Sequence, residues 1–273
     1  MSAATPTIPR LPHTGRVTFP HVLASEWTKL RSLRSTRWSL ATALLLTIGF
    51  AALACAIVAH HYPGMSPQDQ SDFRALDVNM VGVQIAQLAI GVLGVLVITG
   101  EYSTGMIRAT MTAVPRRVPV LWAKAVVYGL VTLALMLPAI LIAFAVGEWI
   151  FSRHGIAVGF GDPGVARIVI GASLYLTAIG LFGLGIGAIV RNTAGGIASF
   201  AAILFVIPPL MNVLPRSWND AASPYLPLSA GQAILALTRG QNQLGPWVGL
   251  GLLFLYALIA ITIASLLLLR RDV

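Results

Sequence analysis

Cysteine is almost absent. Cys55 is the single one among 273 residues, so no intramolecular disulfide and no cysteine-rich metal site can form. It sits inside an apolar run and reads as a small buried hydrophobe. Charge is scarce as well: charged residues make up 10% of the chain and hydrophobic ones 57%, whereas a soluble domain is about a quarter charged. That balance excludes an ordinary soluble enzyme. It also excludes disorder, which needs few apolar residues and a high net charge. The short alternating strands of an outer-membrane barrel are missing. Lysine occurs only twice, at Lys29 and Lys124, and neither follows a glycine. A phosphate-cradling loop needs Gly-Lys-Ser/Thr, so the chain carries none. Neither HExxH nor GxSxG occurs. The five histidines, His13, His21, His60, His61 and His154, lie in tails or near the ends of apolar runs. His60-His61 reads as a solvated pair, and no metal site is expected.

What the chain has is long apolar runs. Spanning a bilayer takes about 20 helical residues, and six runs qualify, at about 39–59, 78–99, 120–146, 168–190, 194–214 and 247–269. Residues 1–38 are polar and several further runs follow, which is not the pattern of a cleaved signal peptide. With the N-terminus on the cytoplasmic side, only Arg74, Arg153, Arg167, Arg216 and Arg239 of the 18 basic residues fall outside, and so do six of the nine acids. The positive-inside rule then places both termini in the cytoplasm. The fold class is an all-α polytopic membrane protein with six transmembrane helices. The net charge of +9 sets orientation in the membrane and does not mark a nucleic-acid partner. Trp38, Trp122, Trp149 and Trp247 stand near run ends, as interfacial anchors do.

Residues 1–19 read as a disordered cytoplasmic tail, and 39–273 as the membrane domain. Between them, over 20–38, Val22, Leu23, Trp27, Leu30 and Leu33 recur at helical spacing. This is the pattern of an amphipathic helix lying on the inner leaflet. Glu26 and Arg34 break its apolar arc; Glu26 is free to pair with Lys29 or to make a fixed contact at a helix end. Lys124 opens the third run, within snorkelling reach of the interface. The fourth run holds Gly183 and Gly187, a pair that permits close helix approach. Pro138 marks a bend in the third run, and Pro208-Pro209 an end to the fifth. Gln84 and Gln87 lie three apart in the second run; they fit either a polar path or hydrogen bonding between helices. No buried charge sits at mid-membrane, so an ion relay lacks its carrier group.

The connection after the second run, Glu101 to Arg117, is short and closed by Pro115. Ile107, Met111 and Val114 would form an apolar stripe on a short helix, directed at a partner surface or at the chain's own spans. The stretch Ser25-Glu26-Trp27-Thr28-Lys29-Leu30-Arg31-Ser32 resembles the start of actinobacterial ABC-2 type transporter permeases. So does Glu101-Tyr102-Ser103-Thr104-Gly105-Met106-Ile107-Arg108, followed by Ala113-Val114-Pro115-Arg116-Arg117. A third likeness is Ser223-Pro224-Tyr225-Leu226-Pro227, running into Ala230-Gly231-Gln232-Ala233. The resemblance covers the chain from about Val22 onward.

The resemblance implies a permease that dimerises, as a homo- or heterodimer, and docks separate ATPase subunits. Such a protein is not itself an enzyme; ATP and Mg stay on the partner, and this chain holds no cofactor. The segment with Glu26, Trp27, Lys29 and Leu30 would be the elbow helix. Glu101, Ile107, Arg108, Met111, Arg116 and Arg117 would form the coupling element that receives the ATPase stroke. Short re-entrant segments would follow the fifth span. The expected activity is export of an amphiphile (drug, peptide antibiotic or lipid) from the plasma membrane, with membrane lipid as a further partner. Two other readings stay open here: a scaffold or sensor without transport, and an ion-coupled carrier.

Overall fold

The computed structural model describes residues 18–32, 34–106, 117–213, 215–240 and 242–270. Every regular element among them is helical. Six segments are long and apolar enough to cross a membrane: Thr36–Gly64, Ala75–Ser103, Val118–Ser152, Val165–Val190, Thr193–Met211 and Pro246–Arg270.

The first described elements are α1 (Phe19–Ser32) and α2 (Arg34–His61). The segment expected over 20–38 falls on α1 and the start of α2, and Leu33 between them lies outside the described residues. Two short helices follow, α3 (Pro67–Asp72), capped by Ser66 through a bond from the Asp69 amide, and α4 (Ala75–Asn79). They lead into α5 (Val81–Ser103). Next come α6 (Arg117–Ser152), helical through Pro138, and α7 (Val165–Val190).

The fifth span is composite. It runs as α8 (Thr193–Ala201), a π-helical turn over Ala202–Val206, and α9 (Ile207–Met211). Proline has no amide hydrogen to give to the carbonyl four residues back. The wider turn just before Pro208 lets Ile207 donate to Ala202 instead, which is how a helix absorbs such a break. The span then ends at Met211, where the two prolines predicted a stop. After it come α10 (Arg216–Ala222), α11 (Pro227–Gln232) and the last span, α12 (Pro246–Arg270).

The α7 helix is the centre of the bundle, with 83% of its apolar window buried. α5, α6 and α12 all pack on it. Its glycines permit this. A Cβ on Gly183 would stand 2.2 Å from the Gly91 carbonyl oxygen of α5, and one on Gly185 would stand 2.6 Å from the Ala260 methyl of α12. A bilayer supplies no hydrophobic drive between helices, so close backbone packing carries the association. At the end of α7, Arg191 takes a left-handed φ of 58°. Its guanidinium donates to the Leu267 carbonyl at 3.1 Å and lies over the Tyr102 ring. That one side chain ties the ends of α7, α12 and α5 together.

At the opposite end of the bundle, Arg167 donates to the carbonyls of Ala236 at 2.9 Å and of Ile234 and Leu237 at longer range. The turn after α11 leaves those carbonyls without helical partners, and the guanidinium fork gathers them. Glu148 accepts from the Val158 amide at 2.5 Å, and Asn79 donates to the Phe144 carbonyl at 3.1 Å. These bonds fix the connections between spans.

Candidate functional site

α1 buries one narrow stripe against the rest of the chain. Its buried residues are Val22, Glu26 and Leu30, one every four positions. Trp27, assigned to the apolar face, is 50% exposed, and Leu23 is half-buried. Leu33 lies outside the described residues. Val22 packs on Val120 and Ala123 of α6. Glu26, which looked like a flaw in the arc, stands at the middle of the buried stripe.

Its partners explain why. Lys29 donates to Glu26 Oε1 at 2.7 Å, and Lys124 of α6 donates to Glu26 Oε2 at 2.5 Å. Lys124 also donates to Glu101 Oε1 at 2.8 Å, and Lys29 reaches the same oxygen at 3.3 Å. Four charges summing to zero thus join α1, the end of α5 and the start of α6. Both lysines of the chain are in this cluster, with two of its three glutamates. Lys124 was expected to snorkel to the interface; it is instead 3% exposed, because α1 lies across the beginning of α6.

A buried ion pair is weak evidence for net stability, since desolvation offsets most of the Coulomb gain. Breaking such a pair leaves an uncompensated buried charge, so the cluster favours the register of α1 that pairs all four groups. Burial pulls the Lys29 ammonium down, but the Glu26 and Glu101 carboxylates more than offset this and hold it above the usual lysine value. A raised lysine pKa contributes its stability below the unfolded value and loses it only as pH rises through the folded one. The contact therefore holds throughout the neutral range. Glu101 is 6% exposed, and its second oxygen, Oε2, has no hydrogen-bond partner among the described residues.

The cluster flanks the connection singled out from the sequence. α5 ends at Ser103, and Gly105 turns the chain with a φ of 70°, where glycine avoids the Cβ penalty of that conformation. Helix is next described from Arg117. Ile107, Arg108, Met111 and Arg116 lie outside the described residues, as does the side chain of Arg117. The two ends of the connection are described, and each leads into the cluster. Glu101 stands one turn before Gly105, and Lys124 stands two turns after Arg117.

At the other end of α5, Gln87 is 4% exposed. It accepts from the Tyr175 hydroxyl of α7 and donates to Gln84 Oε1 at 3.2 Å. Gln232 of α11 donates to the same Gln84 oxygen at 2.8 Å. Gln87 is thus a helix-to-helix contact. Gln84 instead lies on the rim of a polar cavity of about 430 Å³, together with Asp77, Ser229, Gln232 and Asn242. The sequence reading singled out neither Tyr175 nor Gln232 for this role. Gln232 did fall within a quoted motif, but nothing in its spacing named its partner. His61 bonds its own helix, through Nδ1 to the Ile57 carbonyl at 2.8 Å. No metal-holding group of three or more His, Cys, Asp or Glu occurs among the described residues.

A family model described as ABC-2 family transporter protein matches residues 22–214. No curated protein matches the chain. The family match begins at the first buried residue of α1 and takes in the charge cluster, the connection and the first five spans.

Proposed function

The chain belongs to the ABC-2 family of transporter proteins, and from that premise we propose that it is the membrane-spanning permease of an exporter driven by a separate ATPase subunit. It is a multi-pass membrane protein. In this reading it sits in the plasma membrane with both termini cytoplasmic, α1 lies on the inner leaflet as the elbow helix, and residues 101–117 are the coupling element. ATP and Mg stay with the partner, consistent with a chain that has no phosphate-binding loop. A second permease subunit completes the path. The fifth and first spans have only 17% and 22% of their apolar windows buried, which leaves them room for that subunit and for lipid.

The observation that carries this reading is the four-charge cluster. An ATPase pressing on the connection moves the end of α5 and the start of α6. Glu101 and Lys124 hold both to Glu26 and Lys29 of α1, so the three elements move as one body. Closely packed helices with discrete pairings shift between arrangements and do not deform gradually. Two such bodies in a dimer would open the central path alternately inward and outward. The cargo is an amphiphile, a drug, a peptide antibiotic or a lipid.

The test is recovery of the tagged chain from native membranes in mild detergent, read by mass spectrometry. A soluble subunit with a Gly-Lys-Ser/Thr loop should co-purify at about one per permease. Its absence, under conditions that keep other complexes intact, would overturn the reading and favour a scaffold. Ile107→Asp or Met111→Asp places a charge on the apolar stripe. Either should abolish ATPase recovery while membrane insertion stays normal; undiminished recovery would show that the stripe is not the docking surface.

A further inference from the structure

A second cavity, of about 260 Å³, opens beside the charge cluster. Its wall along α5 runs from Leu93, Leu96 and Val97 at one end to Gly100, Glu101 and Ser103 at the other, and Lys29, Leu30, Thr36, Ser39 and Lys124 also line it. From Leu93 to Thr104 is about 16 Å along the helix at 1.5 Å per residue. The α5 wall is therefore apolar at one end and polar at the end that Lys29 of α1 reaches.

The polar end is rich in acceptors. Ser103 and Thr104 both spend their hydroxyl hydrogens on the Gly100 carbonyl, at 3.0 Å and 2.8 Å. Their oxygens remain as acceptors. Glu101 Oε2 is buried without a hydrogen-bond partner among the described residues, an arrangement that is destabilising and calls for an explanation. The terminal torsion of a glutamate is soft, so a small rotation offers that oxygen to a donor entering from the cavity. A neutral donor fits this place: the cluster already sums to zero charge, so an added ion of either sign would stand uncompensated in a buried site. Drug-sized pockets run from about 300 Å³ upward, and this one falls just below, enough for a single narrow chain.

We infer that this cavity binds a neutral, hydroxyl-bearing single-chain amphiphile, its tail along Leu93, Leu96 and Val97 and its hydroxyl donating to Glu101. That this ligand is cargo awaiting export rests on the permease reading; the binding itself does not. A bilayer monoacylglycerol and a long-chain alcohol cargo share the chemistry.

The purified full-length chain in phosphatidylcholine nanodiscs is photolabelled with a diazirine-bearing octanol, and the label is mapped by peptide mass spectrometry. The label should concentrate on 93–104 and 29–39. Decanol should displace it, and equal concentrations of decanoate or decyltrimethylammonium should not. Gly100→Leu should cut labelling at least tenfold: a Cβ there meets nothing within 4 Å, and a helical glycine is replaced by a better helix former. Leu96→Trp, which fills the apolar end, should do the same. Label spread evenly over the lipid-facing spans would overturn the site, as would wild-type labelling in both variants. Displacement by either ion as readily as by decanol would overturn the neutral class. A monoacylglycerol co-purifying with the wild type and lost in Gly100→Leu marks a resident lipid, whereas an empty site that fills on addition marks cargo. No ATPase is present, so a failed ATPase recovery with intact labelling removes the cargo role and leaves the site.

Discussion

Lys124→Met should destabilise the protein by about 3–5 kcal/mol, the cost of breaking a buried charge pair by removing one partner. The reason is the charge count at a dry site. Glu26 and Glu101 are 1% and 6% exposed, and without Lys124 only Lys29 among the described residues remains to balance both. Glu26 Oε2 then has no donor, since its bond came from Lys124. Lys124→Arg should not rescue, because a planar five-donor fork does not fit where a compact ammonium donates to two carboxylates 2.5 Å and 2.8 Å away.

The double variant Glu101→Gln with Lys124→Met restores neutrality, leaving the Glu26–Lys29 pair at 2.7 Å. It should recover more than half of the loss, giving a favourable interaction energy between the two sites, as expected for groups in direct contact. Denaturant unfolding of the purified protein in detergent measures both. A Lys124→Met protein as stable as the wild type would show that the charges are not balanced by burial. A double variant no better than the single one would show that the loss comes from lysine-stem packing instead.

Lys124 also shows where sequence reasoning reaches and where it stops. The six spans were legible because length and apolarity are local properties of a run. Their ends were less so: α6 begins at Arg117 and continues to Ser152, beyond the apolar stretch that a hydropathy reading registers. Lys124 looked interfacial because it stands near the start of that stretch. Which neighbour covers the start is a tertiary fact, and α1 is the neighbour. Glu26 gave a real signal, an acid inside an apolar arc, but spacing along one helix cannot name a partner 98 positions away. The prolines of the fifth span were fully legible, because a missing amide hydrogen acts within one turn. Gly183 and Gly187 announced a close contact; Gly91 and Gly94 on the other side of it did not stand out among the glycines of their own run.

Those glycines carry the second large effect. Alanine is about 1 kcal/mol better than glycine in a helix interior, so Gly→Ala in a span stabilises wherever space allows. At Gly100 nothing lies within 4 Å of the added methyl, and Gly100→Ala should gain up to about 1 kcal/mol. At Gly183 and Gly94 the sign should invert. The methyl would fall 2.2 Å from the Gly91 carbonyl oxygen in one case and 2.1 Å from the Gly180 carbonyl oxygen in the other. Both obstacles are backbone, so no side-chain rotation relieves them, and α5 and α7 must separate. Overpacking of this kind costs about 1–3 kcal/mol, and separation forfeits the dispersion contacts along the whole seam. The two sites face each other across one helix pair, so Gly94→Ala with Gly183→Ala should cost less than the sum of the singles, because the first separation makes room for the second methyl. Denaturant unfolding of the three singles and the double gives the comparison. Equal stabilisation at Gly100, Gly94 and Gly183 would mean that α5 and α7 do not meet backbone to backbone. A stabilised Gly100→Ala beside destabilised Gly94→Ala and Gly183→Ala would establish the seam that holds α7 at the centre of the bundle.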